Sequence, residues 1–153
     1  MARLSRSWRT FRALTWAQRR LLAQAWLLLP LVALSLRLLG FRRTRAALLP
    51  PAAAVPCGED LNAAQVVTRI AHSAARRSPV HASCLARSLV VCRLLSRQGL
   101  VAELRIGVAK PDARLEAHAW VEHGGVVLSD GQDEDSRFAA FDGAVFSRRT
   151  SAL

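Results

Sequence analysis

The hydrophobic period of this chain changes once between Ser83 and Val108, and the change falls at Gly99. Before it, LARSLVVCRLLSRQ sets Leu85, Leu89, Cys92 and Leu95 on one side of a helix. Val91 and Leu94 widen that side to more than half the circumference. A band so wide belongs to a helix covered on several sides, not to one lying on a surface. After Gly99, Val101, Glu103 and Arg105 alternate with Leu104, Ile106 and Val108, which is the period of a strand. Gly99 itself stands where a helix ends in the left-handed conformation. A central helix followed at once by alternating segments calls for an α+β domain, with helices packed on a small antiparallel sheet.

The remaining elements fall around this junction. Leu49-Pro50-Pro51-Ala-Ala-Ala-Val-Pro56 reads as a linker, because prolines and small residues disfavour continued helix. Asp60 or Asn62 can cap a helix that runs to about Ala75 with Val66, Val67 and Ile70 on its apolar side. Arg76-Arg77-Ser78-Pro79 breaks it, and Ser83 caps the next helix, which runs to about Gln98. Residues 109–115 read as a loop, 116–123 as a second strand, Gly124-Gly125 as a turn and 126–130 as a third strand. The expected division is a helical segment over 1–49, a linker over 50–58 and the α+β domain over 59–153.

The net charge of +11 is concentrated at one end. Residues 1–49 hold ten arginines and no acid, whereas twelve basic and eleven acidic residues nearly balance from residue 50 onward. Such asymmetry points to an acidic partner, a nucleic acid or an anionic membrane surface. The apolar run Leu21–Leu36 is sixteen residues long and contains Gln24 and Pro30, short of the roughly 20 residues a span needs. A signal peptide is disfavoured because RLLGFRRTR follows the run where a cleavage pattern would stand. A helical hairpin or docking element is expected first, and an interfacial membrane helix, with peripheral contact through residues 1–45, next. Trp8, Phe11 and Trp16 interleave with the arginines, but such helices dock on protein or membrane as readily as on nucleic acid, and no nucleic-acid partner is expected.

Three cysteines without a CxxC pair fit a reducing compartment, consistent with a cytoplasmic protein at most peripheral to the membrane's inner face. A lone cysteine is usually a small core residue. Cys84 differs in standing at the start of the most apolar helix, where unpaired N–H groups and the helix dipole favour a thiolate and can steady an oxyanion. Cys92 lies two turns further in and reads as core; Cys57 falls in the linker. Of four histidines, His72 and His81 precede Cys84, and His123 adjoins the glycine turn and is expected to be solvated. His118 alone is mid-strand, between two alanines, where a cross-strand hydrogen bond is the ordinary explanation.

Asp130 depends on the turn. If Gly124-Gly125 closes a two-residue loop, position 118 faces 131 and Asp130 lies on the other side of the sheet. If His123 joins a three-residue loop, His118 pairs with Asp130, and Trp120 with Leu128 on a face the Cys84 helix can cover. The catalytic reading expects the second register, in which the carboxylate fixes the imidazole tautomer. Cysteine on a helix, then histidine and aspartate on strands, is the order of the papain and transglutaminase class.

HASCLARSL at 81–89, LLSRQGL at 94–100, AELRIGV at 102–108, AHAWVE at 117–122 and VLSD at 127–130 resemble the transglutaminase-like B proteins of lasso peptide biosynthesis. The resemblance covers roughly residues 60–130 and extends more loosely to the arginine- and leucine-rich amino terminus. It implies a cysteine peptidase that removes the leader of a ribosomally made precursor, with Cys84 as nucleophile, His118 as base and acid, and Asp130 as orienter. It implies no metal or other cofactor. Residues 1–56 lack the alternating strands of a fused leader-binding element, so a separate leader-recognition protein is expected, together with association with an asparagine-synthetase-like cyclase. No glutamine lies between Arg76 and Ser83 to serve as a second oxyanion donor. Acyl transfer to an amine on the same fold, and a non-enzymatic docking adaptor, are the competing readings.

Overall fold

A computed structural model describes residues 14–49, 60–78, 80–109, 116–128 and 139–140. Three helices, α1 (Trp16–Leu48), α2 (Leu61–Arg77) and α3 (Cys84–Arg97), precede four strands, β1 (Glu103–Ala109), β2 (Glu116–His123), β3 (Val126–Val127) and β4 (Ala139–Ala140). The strands form one antiparallel sheet in the order β3-β2-β1-β4. This is the expected α+β architecture, with helices laid on a small sheet. The β4 pair was not foreseen; two residues are too few to leave a periodic signal.

Each helix starts where a side chain can satisfy its first N–H groups. Thr15 and Gln18 form a reciprocal capping box on α1, Asp60 accepts from the Ala63 N–H at 3.0 Å, and Ser83 accepts from the Ala86 N–H at 3.2 Å. α3 ends in a Schellman motif. Gly99 takes a φ of 75°, its N–H bonds to Ser96 O, and Leu100 N–H reaches back to Leu95 O. That closure turns the chain directly from the core helix into β1.

One core joins all three helices to the sheet. Ala25, Leu29 and Val32 of α1, Val67 and Ala71 of α2, and Leu89, Val91, Leu94 and Leu95 of α3 meet Leu100, Val121 and Leu128. The amino-terminal helix therefore contributes to the same core as the helices beyond the linker. Within that segment, residues 16–48 are two helical stretches that meet at Gly40, whose φ of 75° and ψ of 172° are not helical. A residue with a Cβ would be strained at that φ.

The turn after β2 corrects the expected register. His123 pairs with Val126 and Glu122 with Val127, so the loop contains only Gly124 and Gly125. Both have positive φ, 57° and 78°, the type I′ pattern whose twist matches that of paired strands. Two consecutive glycines enter this tight turn without steric cost, so no third residue is drawn in. Leu128 N–H then bonds to Val121 O at 2.8 Å, and it is Val121, not Trp120, that shares the helix-facing side with Leu128.

Candidate active site

Cys84 is the first residue of α3, directly after the Ser83 cap, and is half-buried with a free thiol. Its N–H and that of Leu85 have no acceptor within the helix, as at any helix start. Cys92, two turns on, is 2% exposed. Burial pushes the Cys92 thiol up to about 12 from its ordinary 9.0, with the positive charge of Arg45 opposing only in part. One helix thus carries a thiol at an open polar end and another locked in the core. Cys57 lies outside the described residues.

His118 lies in the middle of β2, opposite Gly107 of β1, and is half-buried. Alternation along the strand separates two sets of side chains. Ala119, Val121 and His123 are buried, as is Trp120 between them, and Val121 joins the core with the helices. His118, Trp120 and Glu122 point the other way. On that side the imidazole stacks on the Trp120 ring, with centroids 6.2 Å apart and planes 18° from parallel. Trp120 Nε1–H donates to Glu122 Oε1 at 3.0 Å, and Arg105 Nε–H donates to the other oxygen of Glu122 at 2.9 Å. Arg105 also pairs with Glu103 at 3.2 Å. The indole beside His118 is therefore held at its edge by a carboxylate that is itself held by a guanidinium.

Helix and strand are tied together at this point. Ser88 Oγ–H donates to the carbonyl of Ala119, the residue after His118, at 2.9 Å, and Ser88 is buried. Cys84 lies one turn before Ser88 on the same side of α3, about 6 Å along the axis. The start of α3 is thereby set against the middle of β2. Backbone groups of alternate residues face the same edge of a strand. Ala119 O therefore faces the edge on which Val121 O receives Leu128 N–H. The Ser88 hydroxyl occupies the next acceptor along that edge, so α3 contacts β2 on its β3 side.

Asp130 lies outside the described residues. The three-residue register that would pair it with His118 is not the one formed between β2 and β3. The expectation for His123 is also reversed. Although next to the turn, it is 4% exposed, and its Nδ1–H donates to the Val101 carbonyl. Two positions away from buried Val121, it falls on the core side and is a structural residue. Ser88 and the Arg105–Glu122–Trp120 chain escaped the reading of the sequence. Their signals were present: a polar residue four after Cys84 in an apolar helix, and a shared parity with His118 on β2.

The transglutaminase-like superfamily profile matches residues 25–141, most of the chain, and the protein belongs to that superfamily. The match begins within α1, in keeping with the place of that helix in the common core. No curated protein and no solved structure matches the chain. Members of this superfamily are usually cysteine-based enzymes, acting as proteases or acyltransferases.

Proposed function

We propose that this transglutaminase-like chain is a cysteine peptidase that cuts the leader from a ribosomally made lasso peptide precursor, freeing the core peptide's amino group for ring closure by a separate cyclase. The observation that supports the chemistry is the Ser88–Ala119 tie, which joins the helix of Cys84 to the strand of His118 one turn from the thiol. The motifs HASCLARSL and AHAWVE, similar to those of lasso B proteins, carry the choice of substrate.

In this mechanism the Cys84 thiolate attacks the scissile carbonyl and a C–S bond forms. The oxyanion faces the unpaired N–H groups of Cys84 and Leu85. The intermediate collapses with cleavage of the C–N bond, and protonated His118 gives its proton to the departing amine. The leader remains as a thioester. Water, deprotonated by His118, attacks that thioester, the leader leaves with a free carboxylate, and the Cys84 thiolate is restored. Stacking on Trp120 keeps the imidazole from rotating between its two duties.

Asp130 is the proposed orienter of His118. The leader would be gripped by a separate recognition protein.

The test combines precursor, recognition protein and either native protein or Cys84→Ala, with products read by mass. Native protein should release the leader while the alanine variant leaves the precursor intact. Leader release by Cys84→Ala at the native rate would overturn the mechanism. A mass gain from amide cross-linking with no leader fragment would select acyl transfer instead.

A further inference from the structure

α1 carries two apolar faces, and only one of them is used by the fold. Ala25, Leu29 and Val32 are buried against α2 and α3. On the opposite side Trp16, Leu27, Leu31, Leu34 and Leu38 are 71, 59, 59, 53 and 73% exposed. These positions, with Arg20 and Ala23 between them, follow one another at steps of three and four residues. At about 100° per residue they fall within an arc of about 80° and form a stripe about 33 Å long. Apolar residues on both sides of a helix mean that both sides are meant to be covered.

The charges around the stripe decide what covers it. Arg19 and Arg20 stand at one end, and the Arg20 guanidinium lies 4.8 Å from the centre of the Trp16 ring. Arg37 stands at the other end and Arg42 and Arg43 follow just past the Gly40 break, all exposed, and no acid occurs anywhere in residues 1–49. A second copy laid along this stripe in either direction would bring arginine clusters together with no carboxylate between them. An anionic bilayer supplies both needs at once: hydrocarbon for the leucines and phosphate for the arginines. Trp16 at the stripe's end and Trp26 on its flank, 46% exposed, suit the boundary between the two. The helix is long and apolar enough to cross a membrane by length and composition. Crossing would strip Ala25, Leu29 and Val32 from the core they share with α2 and α3. Lying in the interfacial plane leaves that core intact.

We propose that α1 is a membrane-docking helix, which seats the protein on an anionic phospholipid surface through Leu27, Leu31, Leu34 and Leu38 while its other face holds the fold. The experiment is flotation of the full chain with vesicles of phosphatidylcholine alone or mixed with phosphatidylglycerol. Native protein should float with the anionic vesicles, and less of it as salt is raised. Leu31→Glu/Leu34→Glu, both at exposed positions, should lower that partition at least about ten-fold while the circular dichroism spectrum is kept. Should that variant misfold, Leu27→Gln/Leu38→Gln serves as the milder substitute. Three results would overturn the proposal: native protein left behind by anionic vesicles, variants that float as well as native through arginines elsewhere, or a stripe-dependent dimer in light scattering without flotation.

Discussion

The two faces of β2 show how differently neighbouring residues are constrained. Ala119, Val121 and His123 face the helices, and their role is to fill space and satisfy one hydrogen bond. His118, Trp120 and Glu122 face away and form a ring stack and a charged chain, with Trp120 buried as deeply as its neighbours. The lesson is one of parity: on a seven- or eight-residue strand, stability and chemistry are separated by a single step. His123, an ionisable residue on the packing side, behaves as a core residue.

That contrast can be broken most directly by paired substitutions. His118→Ala should lower leader cleavage about 10²–10⁴-fold while thermal unfolding stays close to native. Val121→Ala should do the reverse, costing about 1–3 kcal/mol of stability and leaving cleavage per folded molecule nearly unchanged. A His118→Ala protein that melts early, or a Val121→Ala protein that folds but does not cleave, would erase the division. The measurements are single-turnover cleavage and calorimetry on the same samples.

Ser88→Ala sharpens the comparison, because it cuts a side-chain bond between α3 and β2 without touching either face. The expected cost is about 1–2 kcal/mol of stability, since the hydroxyl is lost and a carbonyl loses its partner. A larger effect is expected on kcat than on KM, roughly ten-fold or more, with Ser88→Thr restoring part of it. Equal loss in both constants would mean that the tie does not align the thiol.

The smallest effect concerns the two thiols of α3. Burial holds the Cys92 proton to about 12 in the folded state against 9.0 unfolded. Between those values the unfolded chain gives up a proton that the folded chain keeps, so stability falls as pH rises above about 9. Cys92→Val should flatten that alkaline decline in denaturant titrations. Alkylation of the native protein should leave Cys92 unmodified under conditions that label Cys84; rapid labelling of both would contradict the burial on which the distinction rests.

Much of this was legible in the sequence because its causes are local. Ser83, Asp60 and Gly99 mark helix ends by what their own side chains or backbones permit, and alternation after Gly99 announces the sheet. What escaped depends on partners far along the chain. Gly124-Gly125 by itself fits a two- or three-residue loop, and the two-residue one places Val121 and Leu128 together in the core. His123 looks solvated until Val101, twenty-two residues earlier, is brought beside it. The apolar character of α1 was plain, yet its division into a buried and an exposed face required α2 and α3 to be in place.

The bond between Ser88 and Ala119 has an asymmetry with consequences for how such a protein can diverge. Its donor is a side chain, but its acceptor is main chain, present whatever residue occupies position 119. Small replacements at 119 leave the acceptor where it is, whereas at 88 the side chain itself must supply a donor. The freedom to vary is therefore one-sided. The strand beside the histidine can change its side chains without breaking this tie, whereas the helix that presents the thiol must keep a donor at position 88.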